Sequence, residues 1–384
     1  MWDTRVRTCT AAKDFWGITQ EFVDETFRIP YGARMTETHV TLGQVAARAG
    51  VSKATASKVF NERADVAPET RTRVAAAADE LGYVPAVRPP APGTTQVWVV
   101  FDRLANAYSA TVLDGLLAEA QVRDAIVIVN EFGNVEDNRL APGAPAWIRQ
   151  AQARGAQAFI LVTNPLSDDH VAACARRGTP LIVVDPVAAA PEGVMSVGAT
   201  NWMGGVQATE HLLSLGHTRL AYVGGEPTST PANERLAGFR SAIETAGLDP
   251  NAAVVVPGAF DYDDGLGCTT LLRAADRPTA IFAASDAVAL GVLEAARQVG
   301  MRVPEDLSVV GFDDTFAAHA ASPQLTTVRQ PLTQMGRMAM QAAVEGARDG
   351  ARVSPPVQLA TSLVVRGSTA PPQRHADRRI PDPL

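Results

Sequence analysis

Residues 40–61 carry a pattern that favours two short helices joined by one tight turn. Thr41 is suited to begin the first helix, because its hydroxyl can accept a hydrogen bond from the first turn, and apolar residues follow it at helical spacing. Gly50 is suited to end that helix in the left-handed conformation. Ser52 can then cap a second helix that runs to Phe60. The segment therefore predicts a helical hairpin with both helix starts defined.

The expected outer face of the second helix indicates contact with nucleic acid. It carries short or basic hydrogen-bonding groups, namely Lys53, Thr55, Ser57 and Lys58. No acidic residue lies between Arg48 and Lys58. In a helix-turn-helix, such a face enters the DNA major groove. The alternative is an ordinary helical hairpin, which needs neither the two caps nor a cationic outer face. A third helix is predicted from Pro68 to Leu81.

These residues resemble the DNA-binding headpiece of the LacI/GalR family of transcriptional regulators. The resemblance continues through later motifs in one order, over about residues 40–370: Val66–Val74, Leu81–Pro85, Gly216–Arg219, Gly224-Gly225, Arg235–Phe239, Ala284–Gly291, Leu307–Asp314 and Leu325–Pro331. It implies an α/β chain with an all-α headpiece and a two-lobed, periplasmic-binding-protein-like effector domain with parallel sheets. It also implies three crossings between the lobes, near residues 197, 325 and 350.

Hydrophobic patterning independently favours parallel sheets from Gln96 onward, since short apolar runs alternate there with helical patterns. The predicted strands are Val97–Phe101, Ala125–Val129, Ala158–Val162, Leu181–Val184, Arg219–Val223, Ala253–Val256, Ala280–Phe282, Ser308–Val310 and Val357–Val365. The predicted helices lie between them, at about 107–121, 144–154, 167–177, 202–215, 232–246, 262–274, 286–299 and 331–348.

The domain boundaries follow from composition and from the resemblance. We expect a disordered extension or mis-assigned start at 1–34, a helix-turn-helix domain at 35–84, a proline-rich linker at 85–95, an effector-binding and dimerisation domain at 96–368, and a disordered tail at 369–384. Prolines at 85, 89, 90 and 92 oppose a helix in the linker. Relatives usually place there a hinge helix with a Leu that wedges into the minor groove. Here Ala86 follows Pro85 and the linker has no Leu.

Composition narrows the class of protein. The net charge of −7 counts mildly against nucleic-acid binding, so a headpiece must rely on the placement of its cations. The 3 cysteines have neither disulfide nor metal spacing, which suits a cytoplasmic protein. No apolar run approaches the ~18 residues of a membrane helix. Nucleophile-elbow, Walker and Rossmann motifs are absent from the sequence, so we expect no enzyme, cofactor or metal site.

Polar residues follow several predicted strands, where ligands of parallel sheets bind. Asp185 follows Leu181–Val184, and Asp313 follows the strand that starts at Ser308. Ser285 and Asp286 follow another strand, although Asp286 could instead be a helix N-cap. Tyr108 and Trp202 could provide aromatic faces for a sugar, or could be core residues. These residues predict a small-ligand cleft between the lobes.

Further site residues are implied by the resemblance alone. In DNA binding, Thr41, Lys53, Ala54, Thr55, Ser57 and Lys58 would contact bases or phosphates, and Asn61 and Arg71 would clamp the backbone. In effector binding, Arg235 is retained, whereas Asn233 replaces an Arg that clamps the effector in many relatives. Because Asn cannot neutralise an anion, a neutral sugar is favoured. The expected partners are double-stranded operator DNA, a sugar and a second copy of the chain. A sugar receptor without DNA function and a sugar-modifying enzyme are the alternatives.

Overall fold

The structure is a computed structural model that describes residues 40–60, 63, 66–81, 83, 94–131, 146–350 and 355–373. The predicted extension 1–34, Asn61, nearly all of the predicted linker and most of the predicted tail lie outside these residues. The chain divides into two compact units, Met1–Pro89 and Pro90–Leu384.

The described residues of the first unit form three helices, α1 (Leu42–Ala49), α2 (Lys53–Phe60) and α3 (Pro68–Leu81), as the sequence predicted. Thr41 caps α1 through a capping box: its hydroxyl accepts from Gln44 N at 3.4 Å, and Gln44 Oε1 accepts from Thr41 N at 2.7 Å. Gly50 ends α1 with a φ of 66°. Ser52 Oγ accepts from Thr55 N at 3.0 Å and so caps α2. Buried apolar residues from all three helices form one core, with Val45, Ala56 and Val74 at its centre.

The second unit has two lobes, each built on a six-stranded sheet of the described residues. The strands of the first lobe are β1 (Thr95–Phe101), β2 (Ala125–Glu131), β3 (Ala158–Val162), β4 (Leu181–Val184), β5 (Met195–Ala199) and β11 (Val357–Leu359). They are all parallel and lie in the order β11-β5-β4-β3-β1-β2. The helices of this lobe are α4 (Ala107–Val122), α5 (Ala146–Ala153), α6 (Asp168–Ala175) and α13 (Leu332–Asp349).

The strands of the second lobe are β6 (Leu220–Val223), β7 (Val254–Val256), β8 (Ala280–Ala283), β9 (Ser308–Asp313), β10 (Thr326–Arg329) and β12 (Ser362–Val364). They lie in the order β12-β10-β9-β8-β6-β7, in which β12 runs antiparallel to β10 and the other pairs are parallel. The helices are α7 (Asn201–Ser214), α8 (Thr230–Thr245), α9 (Tyr262–Leu266), α10 (Thr269–Arg273), α11 (Asp286–Gln298) and α12 (Phe316–Ala320), with a 3₁₀ turn at Pro250–Ala252.

Both faces of each sheet are covered, which explains the continuous apolar runs of the central strands. Successive residues of β1 point to opposite faces. Val97 and Val99 therefore pack in the core that contains Met335 of α13. Trp98 and Val100 pack in the core that contains Trp147 of α5. The second lobe is likewise divided into two cores, one on each side of β8.

The chain crosses between lobes from β5 to α7, from β10 to α13, and from β11 to β12. The crossing expected near 197 is close to the first of these, but those expected near 325 and 350 were placed too early. The predicted single strand Val357–Val365 is wrong, because it divides into β11 of one lobe and β12 of the other. Thr361, between them, donates its amide to Thr200 Oγ1 at 3.0 Å, so two crossings are hydrogen-bonded to each other.

Two further expectations need correction. The helix predicted at 262–274 is interrupted between α9 and α10. The tail predicted to be disordered from 369 begins with ordered residues: Thr369 Oγ1 lies 2.9 Å from His211 Nε2, and Ala370 O lies 2.9 Å from His217 Nε2. Two histidines of the second lobe therefore hold the start of this segment.

Candidate functional site

The outer side of α2 presents a small polar and cationic surface. Lys53, Ala54 and Lys58 are exposed, and Thr55 and Ser57 are half-buried. Ala54 and Lys58 are separated by four residues, so they lie on one face of the helix. The Thr55 hydroxyl is 2.8 Å from Ser52 Oγ, which ties it to the cap of its own helix. Thr41 is exposed at the start of α1.

Arg71 has a structural role that the sequence did not indicate. Its Nε donates to Val66 O at 3.2 Å, and its Nη2 donates to Arg63 O. The half-buried guanidinium therefore braces the segment before α3. Its expected contact with the DNA backbone would have to use its remaining donors. Asn61, the other expected clamp, lies outside the described residues.

Two carboxylates, one from each lobe, lie at the carboxyl ends of the parallel strands. Asp185 follows β4 of the first lobe and is 3% exposed, while Asp313 ends β9 of the second lobe and is 6% exposed. The Tyr108 hydroxyl, in the first turn of α4, donates to Asp185 Oδ2 at 2.5 Å. Asp185 and Asp313 have positive φ angles, 45° and 115°. Such strained backbone is concentrated at binding sites in proteins.

Arg235 of α8 joins the carboxylates into one polar cluster. Its guanidinium is buried, with Nε donating to Asn201 Oδ1 at 2.8 Å and Nη1 donating to Ala284 O at 2.6 Å. Nη1 also lies 3.9 Å from Asp313 Oδ1. The plane of the cation covers the Phe312 ring, with 3.8 Å between Cζ and the ring centroid. Arg235 is therefore partnered by the protein before any ligand arrives.

Ser285 and Asp286 form hydrogen bonds with the chain segments next to the cluster. Ser285 caps α11 by accepting from Val288 N at 3.1 Å, and it donates to Phe260 O at 3.1 Å. The cap is thus Ser285 rather than Asp286. Asp286 accepts from Thr315 N at 2.7 Å, Thr315 Oγ1 at 3.0 Å and Thr327 Oγ1 at 2.6 Å. With these bonds, Asp286 holds β10 and the turn after β9 in place.

Two predicted effector residues have exposed side chains, unlike the buried members of the cluster. The Asn233 amide donates to Pro227 O at 2.9 Å and the side chain is exposed. Trp202 is 44% exposed, which excludes the core alternative for it. Sequence reasoning missed Phe260, whose half-buried ring lies 5.4 Å from Arg235 Cζ. It also missed Gln330, whose Nε2 donates to Asp313 Oδ1 at 2.7 Å.

Burial shifts the acid–base behaviour of the cluster. It raises the pKa of Asp185, although the Tyr108 hydrogen bond and the charge of Arg235 oppose this rise. It also raises the pKa of Asp313, against the opposing effects of Arg235 and Gln330. Burial, and then the charge of Asp185, hold the pKa of Tyr108 well above its usual range. Tyr108 therefore stays a neutral donor, and the carboxyls are suited to hydrogen bonding with neutral groups.

Known proteins share both parts of this architecture. Residues 41–86 match the bacterial regulatory proteins of the lacI family, and residues 209–369 match a periplasmic binding protein-like domain. The transcriptional regulator CelR of Thermobifida fusca is 33% identical over 341 residues, which cover 85% of this chain and 98% of that protein. The chain belongs to the LacI family. Transcriptional regulator DegA of Bacillus subtilis is 29% identical over 340 residues, covering 86% of this chain and 98% of DegA.

Solved structures of LacI-family proteins have the same fold. A CelR–cellobiose complex has 32% sequence identity and a TM-score of 0.64, covering 86% of this chain and 99% of CelR. A Lac repressor dimer bound to operator and the anti-inducer ONPF has 29% identity and a TM-score of 0.65, covering 86% of this chain and 99% of the repressor. The chain is thus a DNA-binding transcriptional regulator with an effector domain, as its sequence predicted. In the parts of the chain that the structure describes, no helix could span a membrane.

Proposed function

We propose that this LacI-family protein is a homodimeric repressor whose operator affinity is controlled by a neutral sugar bound between its lobes. One observation carries the proposal: Asp185 and Asp313, from different lobes, converge with Tyr108 and Arg235 in a buried polar cluster. Hydroxyl groups can donate to these carboxylates and accept from the guanidinium. The half-buried ring of Phe260 offers an apolar face beside them.

The charges of the cluster favour an uncharged ligand. Asn201 Oδ1 and Ala284 O already accept from Arg235, and the Asp313 carboxylate lies 3.9 Å away, so the protein itself balances part of the cation's charge. A phosphate or carboxylate in the cleft would also lie near two buried acidic side chains, which disfavours an anionic ligand. The relative CelR, at 32% identity, was solved with cellobiose, which is uncharged.

The DNA contacts of the proposed repressor would come from residues 35–84. Lys53, Ala54 and Lys58 would face base edges, and Thr41, Thr55, Ser57, Asn61 and Arg71 would contact the backbone. Ala54 can offer only an apolar contact, such as one with a thymine methyl. Binding to the chromosome would place the protein in the cytoplasm.

Exposed apolar side chains support a dimer formed by residues 96–368. In the first lobe, Val122 at the end of α4 is 79% exposed, and Leu117 of α4 and Ile126 of the edge strand β2 are also exposed. In the second lobe, Phe316 of α12 is 79% exposed. A second copy would cover these side chains and give two recognition helices, as operator half-sites require. The related Lac repressor was solved as a dimer on its operator.

A catalytic role is disfavoured by the state of the neighbouring acids. Asp314 follows Asp313, but its carboxylate is held by Arg366 Nη2 at 2.5 Å and by Arg329 Nε at 2.6 Å. Two guanidinium groups therefore already occupy the Asp314 carboxylate. We therefore propose binding without chemistry in this cleft.

The test is a gel mobility shift of the full chain on the DNA upstream of its own gene, with and without sugars. We expect a specific shift that cellobiose or another neutral sugar alters, whereas sugar phosphates have no effect. Thermal shift with the same sugars identifies ligands independently of DNA, and sedimentation measures the dimer. A chain that binds a sugar but never shifts the DNA would support the alternative of a receptor without DNA function.

A further inference from the structure

An ion pair connects the two lobes outside the buried cluster. Arg103 follows β1 of the first lobe, and Asp261 precedes α9 of the second lobe. Arg103 Nη2 lies 2.8 Å from both carboxylate oxygens of Asp261. Both side chains are close to half exposed, at 48% and 42%. The contact lies in water-accessible surroundings and can form and break when the lobes move.

The first partner is fixed to the turn that carries Tyr108. The Arg103 carbonyl accepts from Ser109 Oγ at 2.6 Å and from Asn106 Nδ2 at 3.1 Å. Asn106 also caps α4 by accepting from Ser109 N at 2.7 Å. Tyr108 lies in the same turn and donates to Asp185. A displacement of this turn would therefore move the ion pair and the cleft hydroxyl together.

The second partner is fixed to a helix start. Asp261 is the N-cap of α9 and forms a capping box with Asp264, in which Asp261 N donates to Asp264 Oδ2 at 3.1 Å. Phe260, the aromatic residue beside Arg235, immediately precedes it. Each partner of the ion pair is thus attached to one side of the proposed effector site.

Arg103 is also near acidic groups of both lobes. Burial raises the pKa of Asp102, Arg103 lowers it, and the charges of Glu226, Glu131 and Asp261 raise it further. Asp102 and Glu131 belong to the first lobe, and Glu226 and Asp261 to the second. Without the Arg103 charge, the lobes would present like charges to each other at this place.

We propose that Arg103 and Asp261 form a latch that stabilises the closed cleft and thereby increases effector affinity. The inference rests on the proposed function, because it assigns regulation to the same cleft. Exposed ion pairs are weak, so loss of the latch should lower the closed-to-open ratio about two- to fivefold. If the effector binds only the closed state, its apparent affinity falls in proportion to the fraction of molecules that are closed.

The structure provides a probe of lobe closure that needs no effector. Thr230 N, at the start of α8 in the second lobe, donates to Val187 O of the first lobe at 2.9 Å. Opening of the cleft would break this hydrogen bond. Hydrogen exchange of peptides that contain Thr230 therefore reports the closed-to-open ratio in the full chain.

The experiment compares Arg103→Gln, Asp261→Asn, the double variant and Arg103→Lys. Asn remains a good N-cap, so Asp261→Asn removes charge without disrupting α9. Arg123→Gln is the matched control, because Arg123 pairs with Glu119 and Glu345 within the first lobe. We expect each single variant to speed exchange at Thr230 about two- to fivefold, the double variant to be no faster than the singles, and Arg103→Lys to stay near wild type.

The latch would be overturned if the exchange rate at Thr230 were the same in Arg103→Gln as in the control Arg123→Gln. It would also be overturned if the double variant raised this rate by the product of the two single effects, because the two residues would then act independently. The readout requires neither sugar nor DNA. A latch confirmed by exchange, in a protein that no sugar stabilises, would therefore show that the proposed effector function had failed while the latch remained.

Discussion

Asp313 and Gln330 are joined at two points: Gln330 Nε2 donates to Asp313 Oδ1 at 2.7 Å, and Gln330 N donates to Asp313 O at 3.2 Å. Asp313 ends β9, and Gln330 lies where the chain leaves the second lobe for α13 of the first. A ligand that pulls on Asp313 would therefore act directly on a crossing between the lobes. This arrangement gives the effector a physical route to change the angle between them.

Asp313→Asn should shift the sugar response to much higher sugar concentrations, while operator affinity stays within about twofold of wild type. The amide oxygen can still accept from Gln330, but the charge beside Arg235 and the acceptor strength for ligand hydroxyls are lost. Hydrogen bonds to charged groups contribute about 1.5–3 kcal/mol, so about tenfold or more sugar should be needed. Sugar titrations of the operator complex measure this, with Asp249→Asn on the lobe surface as control. An unchanged titration midpoint would remove Asp313 from the site.

Lys58→Ala should weaken operator binding by about 1–3 kcal/mol and relax specificity at one base position. Lys58 is exposed on the outer side of α2, where its ammonium can reach guanine O6 and N7. Arg73→Ala removes an exposed cation from α3 and is the matched control for loss of charge alone. Binding to a set of singly substituted operators measures both effects. Equal weakening on random DNA would show that Lys58 contacts only phosphate.

The operator should be bent little by this protein. Relatives kink DNA with a hinge-helix Leu, whereas residues 85–95 contain four prolines and no Leu. Inserting an apolar side chain between base pairs costs stacking energy, which is offset by the added contacts that the bent DNA permits. This linker has no Leu to make such an insertion. Circular-permutation gel shifts should show a weak bend and weak sensitivity to the central base step. A sharp bend that is lost in Val87→Ala or Arg88→Ala would mean that the linker itself acts as a wedge.

The sequence predicted strands and helices best where one physical signal dominated. The bounds of β3 were predicted to the residue, because Ala158–Val162 is a short, wholly apolar run between helices. β5 and β10 were missed because they bury polar residues. Thr326 and Thr327 of β10 are fully buried, and their polar groups are satisfied by Ser368 and Asp286, which are distant in sequence. Such partners appear only when the chain has folded.

The same limit applies to the candidate cleft. Asp185 and Asp313 could be predicted, since each comes at the carboxyl end of a strand. Phe260 and Gln330 could not, because loops and crossings bring them to the cluster. Asn233 occupies the motif position expected for an effector contact, yet its amide donates to Pro227 O. The motif predicts which face of α8 carries Asn233, but the turn before α8 provides the carbonyl to which this short side chain donates.

His217 should make the protein sensitive to mild acid. The buried ring places Nδ1 2.9 Å from Thr279 Oγ1, and Nε2 lies 3.0 Å from Ser308 Oγ and 2.9 Å from Ala370 O. Burial lowers the pKa of His217 below its ordinary value of 6.5, although the Ala370 carbonyl opposes this. The unfolded chain therefore binds a proton more readily than the folded chain. The free energy of unfolding should fall as the pH decreases below 6.5 toward the lowered pKa.

His217→Gln should separate the hydrogen bonds of this residue from its titration. Gln cannot satisfy all three partners, and buried unsatisfied groups cost about 1–3 kcal/mol, so the variant should be less stable at pH 7.5 by about this amount. It should also lose less stability than wild type between pH 6.5 and 5, because the titrating ring is gone. Urea unfolding at pH 5, 6.5 and 7.5 measures both, with exposed His319→Gln as control. If wild type and His217→Gln lose stability equally on acidification, the acid sensitivity must come from other groups. One such group is the half-buried His211, whose pKa is also lowered by burial.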